Sequence, residues 1–376
     1  MGSITRNQHY VSQCVIREFA NEKERIFEAL LESSKIIPTS CRNSMSESYT
    51  YEHPRLETNT LENYFGKYET EMGIAINDLK KKIDLYEDEK INIDEIRDLA
   101  TEQMKNFILF YYKSGALLHE YQFQLEKKED RIPYLLRKIS DSKYLSNLSK
   151  TISTFYKFAI IKSSEREFLL SDQYLCTASL SIKGRFTNIS NRHIGLKDIV
   201  ILIPISSEYY LMYYDGKLPF ELMNNDVNIL TKQQTDLVNK TIINNSYKKT
   251  VALNKEPLER VLKQFEYQSP ITMIAGFSNG RKMGATLKKE VFFTDDIKEL
   301  WRILCKNDWA THYKEINRNE LCYCNSGKKL KKCCIDTVIQ LRNITQTYLG
   351  LNDGQGHYHL IQVHPNSIVE KAVVEF

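Results

Sequence analysis

No stretch of eighteen consecutive apolar residues occurs in this 376-residue chain, so no segment reads as a membrane-spanning helix. The opening MGSITRNQHY lacks the apolar run of a signal peptide, and the expectation is a cytoplasmic chain with no membrane partner. No internal repeat or low-complexity tract is visible, which argues against a repeat array. A G-x-x-x-x-G-K-[ST] loop for ATP phosphates is missing, and a serine nucleophile on a strand-to-helix elbow is not expected. A disulfide framework is missing too: Cys14, Cys41, Cys176 and Cys305 are scattered, which fits thiols in a reducing compartment. A formal net charge of +4 is too small to argue for nucleic-acid binding by itself.

The other four cysteines are concentrated in residues 321–335, LCYCNSGKKLKKCCI, as Cys322, Cys324, Cys333 and Cys334. Two close pairs joined by a short turn bring four thiolates to one point with little loop-closure cost, which suits a tetrahedral Zn²⁺. Four thiolates leave no open coordination position, so the zinc is expected to be structural. Asn325, Ser326 and Gly327 predict a tight turn. The run 328–332 predicts a helical turn that aims the second pair at the first, with its lysines facing water. The plainer reading is four reduced thiols in a basic loop. This segment resembles the SEC-C motif, a small zinc-binding module attached to many unrelated bacterial proteins.

With 42% hydrophobic and 27% charged residues, the chain is long enough for two or three compact units. Apolar residues at helical spacing predict a helix over 8–20, and a short helix is expected around Phe27, Leu30 and Leu31, followed by a polar loop to residue 51. The strongest 3.6-residue period runs over 56–86, through Leu61, Phe65, Met72, Ile76, Leu79 and Ile83. A second helix is expected over 94–118 with a buried FILFYY centre, and a third over 144–158. After Glu165 the period changes to 2, predicting strands in 168–182, 198–206 and 208–216. Helices return over 231–253 and 256–267, and a further helix near 338–348 precedes a strand-like tail carrying His357, His359 and His364. These histidines read either as ligands of a second metal or as surface residues. The expected class is α+β: a mainly helical N-terminal body with a small central sheet in residues 1–290, a zinc module in 291–340, and a helix and tail in 341–376.

The string QHYVSQCVIREFA resembles the opening of a bacterial family, domain of unknown function 4238. The resemblance continues in order through Glu62 and Glu69 on one helix, FILFYYK ending at Lys113, FLLSD ending at Asp172, the strand 201–206, and Val238-Asn239. It spans roughly residues 5–255. Ser12 stands where the family usually has proline, Lys113 where it has arginine, and Gln173-Tyr174 where it has a small or Asn-Pro pair. The resemblance implies no settled activity, although members resemble components of prokaryotic defence or toxin systems.

Glu62 and Glu69 are seven residues apart, so both carboxylates project from one helix face. Pooled with Asp172 and His9 they can hold Mg²⁺ or Mn²⁺ and orient an attacking water, with Lys113 steadying a phosphate, which is nuclease chemistry on RNA or DNA. The bland alternative makes the glutamates a solvated helix face, Asp172 a turn cap, and His9 a capping or core histidine. Two functions follow. One is a metal-dependent nuclease acting as a defence or toxin effector, with the zinc module docking nucleic acid or a protein. The other is a non-catalytic binding protein that recognises a protein or ribosomal partner.

Overall fold

The apolar stripe over 56–86 folds as predicted. In the computed structural model, helix α2 (Thr60–Glu87) buries Leu61, Phe65, Met72, Ala75, Ile76, Leu79 and Ile83. Helix α3 (Ile93–Lys113) starts at Asn92, whose side chain accepts the Asp94 N–H. Lys82 meets Glu95 at 2.7 Å near one end of the pair and Lys113 meets Glu69 near the other, so the two helices run antiparallel. From Phe107 to Lys113 every residue of α3 is buried, because α4 (Arg131–Ser140) and α5 (Ser142–Phe155) pack on faces that α2 leaves open. The described residues are 5–114, 131–181, 198–267, 271–278, 281–288, 291–298, 317–322, 326–336 and 338–339.

The chain divides into two compact units, residues 1–178 with 194–270, and residues 179–193 with 271–376. In the first, a five-stranded sheet has the order β10-β5-β9-β8-β7, built from β5 (Lys157–Lys162), β7 (Cys176–Ser179), β8 (Ile199–Pro204), β9 (Tyr209–Asp215) and β10 (Val227–Ile229). Strands β5, β8 and β9 pair antiparallel, and β10 joins β5 in parallel. All six residues of β8 are buried, so its near-continuous apolar sequence reflects cover on both faces. A second sheet has the order β3-β2-β11-β6, with β2 (Arg25–Leu30), β3 (Lys35–Ser40), β6 (Leu170–Ser171) and β11 (Lys249–Ala252). A short ribbon pairs β1 (Asn7–His9) with β4 (Ser46–Ser48). Two further helices, α6 (Lys232–Asn245) and α7 (Lys255–Leu262), flank β11 in sequence, and a capping box of Thr231 and Gln234 starts α6. In the second unit β12 (Ile271–Ser278) and β13 (Arg281–Lys288) form an antiparallel hairpin.

The class is therefore α+β. Several local expectations need correction. The segment 8–20 is β1 followed by the short helix α1 (Gln13–Arg17), which puts His9 on a strand and not at a helix entrance. The helix expected around Phe27 is strand β2, because β3 and β11 supply ladder partners on both sides. The polar stretch after it contains β3 and β4 and is not a loop throughout. The helix expected over 231–253 stops at Asn245, whose side-chain amide bonds the Thr177 and Thr241 carbonyls, and the chain then enters β11. The expected continuation of α3 beyond Ser114, the tail histidines His357, His359 and His364, and most of the helix expected over 338–348 lie outside the described residues. Among the described residues, no helix is long and apolar enough to cross a membrane.

Candidate active site and metal centre

Register and capping bring the first group of polar side chains together. Pairing of β1 with β4 sets His9 opposite Ser46, and three residues later Ser12 caps α1. Its hydroxyl makes no cap bond to the helix. It instead donates to Glu69 Oε1 at 2.7 Å and accepts from Lys113 Nζ at 3.2 Å. Lys113 Nζ also donates to Glu69 Oε1, so that oxygen takes two donors. The Lys113 side chain is 1% exposed and Glu69 is 34% exposed, which makes the ammonium the floor of the site and the carboxylate its solvent-facing lip. Phe65 and Phe110 place ring faces 5.4 and 5.7 Å from the ammonium, and this cation–π contact offsets part of its lost hydration. The Tyr51 hydroxyl donates to the Lys113 carbonyl at 2.6 Å and fixes the backbone beneath.

Glu62, two turns before Glu69, interacts with the same ammonium. Burial raises its carboxyl above the ordinary range; Lys113 opposes the shift, while Glu69 and Glu52 add to it. Its Oε2 is buried and has no hydrogen-bond partner among the described residues. His9 is perturbed in the opposite direction. Burial and the Lys113 charge lower its pKa, against the Cys41 and Arg42 carbonyls and Glu69. Arg17 donates to Gln13 Oε1 at 3.1 Å, which turns the Gln13 NH₂ toward His9 Nε2 at 3.4 Å. An amide NH₂ only donates, so a neutral imidazole protonated at Nδ1 would accept this contact at Nε2. Cys14 lies in the same field, but burial pushes its thiol up to about 11 and leaves it a poor nucleophile.

Of the five residues singled out from the sequence for chemistry, His9, Glu62, Glu69 and Lys113 share one electrostatic neighbourhood. Asp172 is engaged elsewhere. Its Oδ1 accepts the Tyr247 N–H at 2.6 Å and its Oδ2 accepts those of Lys248 and Lys249 at 2.7 and 2.9 Å, tying β6 to the turn between α6 and β11. Ser12 and Gln13 had no functional signal in the sequence; Ser12 stood out solely as a departure from the family's proline. The string GFSNG at 276–280 fits G-x-S-x-G, but it begins in β12 and β13 follows it, so Ser278 is not on a strand-to-helix elbow.

The second group lies in the cysteine segment. Leu321 bridges Lys329, Cys322 N–H donates to the Lys328 carbonyl at 2.8 Å, and Leu330 N–H donates to that of Glu320 at 2.8 Å, closing a small antiparallel loop. Gly327 makes the turn at φ +69°, in the left-handed region that side chains disfavour. A 3₁₀ turn over Leu330–Lys332 then delivers the second pair. The Sγ atoms of Cys322, Cys333 and Cys334 lie within 4.8 Å of one another, and those of Cys333 and Cys334 are 3.7 Å apart. Ligands of a tetrahedral zinc with Zn–S near 2.3 Å sit about 3.8 Å apart, so these donors fit a metal ion. Ser326 Oγ stands 3.2 Å from Cys333 Sγ, where it can donate to a thiolate. Cys324 lies outside the described residues.

Two family matches agree with this division. Residues 318–335 match the SEC-C motif, which covers the cysteine loop. No curated protein and no solved structure matches the chain. Residues 7–257, which contain β1, α1, the α2–α3 pair and both larger sheets, match the family described as Protein of unknown function (DUF4238), and the chain belongs to that family.

Proposed function

We propose that the chain is a nuclease whose active site is the cluster of His9, Glu62, Glu69 and Lys113. The observation that carries this reading is Glu62 Oε2, buried without a hydrogen-bond partner among the described residues, on the same helix as the Glu69 that pairs with Lys113. A buried oxygen left without a hydrogen bond costs about 1–3 kcal/mol, and such groups persist where a ligand supplies the missing partner. His9 offers an imidazole whose lowered pKa favours the neutral form as base, Glu62 a carboxyl biased toward its protonated form as acid, and Lys113 a positive charge for a phosphate oxygen. Glu69 is a positioning residue that accepts a hydrogen bond from the ammonium and aims it. General acid–base catalysis contributes about 10²–10⁴ in rate, so Glu62→Gln and His9→Gln should each lose at least about a hundredfold while remaining folded. The assay is a panel of RNA, tRNA and DNA incubated with wild type and both variants. Equal rates in all three proteins, or no cleavage by wild type, removes the reading and leaves a binding protein.

The SEC-C segment holds a structural Zn²⁺ through Cys322, Cys324, Cys333 and Cys334. Arg318, Lys328, Lys329, Lys331 and Lys332 are exposed around it, and this basic tip suits docking to a polyanion such as nucleic acid, or to an acidic protein surface. Nucleic-acid damage by such an enzyme fits an effector in a defence or toxin system, for which growth arrest on induction of wild type but not of Glu62→Gln is the readout.

A further inference from the structure

Helices α4 and α5 carry a charge that sets them apart from the rest of the chain. Residues 131–155, RIPYLLRKISDSKYLSNLSKTISTF, hold five cations, Arg131, Arg137, Lys138, Lys143 and Lys150, against one carboxylate, Asp141. That excess equals the formal net charge of +4 of the whole chain, so outside this segment the charges balance. Asp141 is committed as the cap of α5, where it accepts the Tyr144 N–H at 2.9 Å. The ion pairs of neighbouring elements use Lys82, Lys113 and Lys162, and among the described residues none forms on a cation of the two helices. Arg131 bonds the Thr50 carbonyl at 3.3 Å. Arg137 and Lys138 rest on aromatic rings instead. The guanidinium stands 5.4 Å from the centre of the Tyr134 ring, and the ammonium stands 5.9 Å from it and 5.1 Å from that of Tyr144. The Tyr144 hydroxyl is anchored to that of Tyr112 at 2.9 Å. A ring attracts a cation without cancelling its charge, so the field of this face reaches solvent.

The outer side of α5 continues the pattern. Lys143, Asn147 and Lys150 are exposed at i, i+4 and i+7, so they line one stripe, with the two lysines about 10 Å apart along the axis. Ser146 and Thr154 are exposed beside them, and no carboxylate follows the cap within the helix. Its last residue, Phe155, is 74% exposed, and Lys157 is exposed just beyond. A row of cations, hydroxyls and an amide without acidic neighbours suits closely spaced phosphates. A bare ring at the end of that row suits the face of an unpaired base, which an acidic protein surface does not offer. We propose that the α4–α5 hairpin binds single-stranded nucleic acid, with phosphates along Arg137, Lys143 and Lys150 and a base stacked on Phe155. The surface is read from its own charge and stands whether or not the chain cleaves what it holds.

The test uses the full chain with its metal retained, in Glu62→Gln form so that any cleavage is suppressed. Fluorescence anisotropy is measured with labelled single-stranded RNA, single-stranded DNA, duplex DNA and polyglutamate over a range of salt concentrations. Each phosphate contact on a single strand adds about 0.7 to the steepness of log K against log salt. Lys143→Gln/Lys150→Gln should therefore flatten that slope by about 1.4 and weaken single-strand binding at least about tenfold at low salt. Phe155→Ala changes no charge, and it should weaken single strands at least about fivefold while leaving the duplex within about twofold. Circular dichroism checks that these surface variants keep the fold. Unchanged binding in both variants, with loss in Lys331→Gln/Lys332→Gln instead, would place the contact on the cysteine loop and overturn the proposal. Polyglutamate bound as tightly as the strands, or no strand bound at all, would overturn it as well.

Discussion

Glu69→Gln and Lys113→Met break the same ion pair but should differ in cost, because the two ends of the pair are buried to different depths. Removing Glu69 leaves an ammonium that is 1% exposed without its counter-ion; removing Lys113 leaves a carboxylate that is 34% exposed and can regain water. Deleting one partner of a fully buried pair costs about 3–5 kcal/mol. Glutamine's carbonyl still accepts one hydrogen bond and Glu69 is partly solvated, so Glu69→Gln should cost about 2–3 kcal/mol. In Lys113→Met the new side chain keeps the apolar stem against Phe65 and Phe110, and the lost cation–π and ionic terms are of order 1 kcal/mol, so this variant should stay within about 1 kcal/mol of wild type. The double variant has no buried charge and should match Lys113→Met, giving a coupling of about 2 kcal/mol. Urea titrations at pH 7.5 measure these values, and in a domain of this size Glu69→Gln should lower Tm by about 4–12 °C. Equal costs for the two single variants, or a larger cost for Lys113→Met, would refute a charged lysine on the floor of the site.

Asp172 has a separate signature. Burial raises its carboxyl from 3.8 to about 6, against the three amide bonds. A folded-state value above the unfolded one contributes stability that is full below about pH 4 and lost as pH rises through about 6, up to about 3 kcal/mol. Wild-type stability should therefore fall across that window relative to Asp172→Asn, and parallel pH profiles would count against it. Asp172→Asn should also be less stable than wild type at neutral pH, by about 2 kcal/mol or more, since an NH₂ then faces an N–H donor where an oxygen accepted it. In the cysteine loop, metal analysis of the purified chain should give one zinc per chain, and Cys322→Ser/Cys333→Ser should lose it; full zinc content in that variant would remove the assignment.

The features legible in the sequence are those encoded by near neighbours. Helix α2 declared itself because an apolar residue every three or four positions builds a stripe regardless of what covers it, and the same period put Glu62 and Glu69 on one face. The cysteine loop declared itself because its ligands, its Gly327 turn and its basic 3₁₀ segment all lie within eighteen residues. Tertiary structure decided what depended on distant partners. Residues 25–30 have a pattern that suits either helix or strand, and the ladder to 249–252, more than two hundred residues away, makes them a strand. Asp172 at a strand end read as a metal ligand; three amides at 247–249 made it a structural clasp. Lys113 and Ser12 are a hundred and one residues apart and neither signals the other, yet with Glu69 they share one set of hydrogen bonds. Side-chain chemistry is written residue by residue, but whether a carboxylate meets a cation, an amide or nothing is fixed by which segments pack together, and that choice made Glu62 a candidate acid and Asp172 a brace.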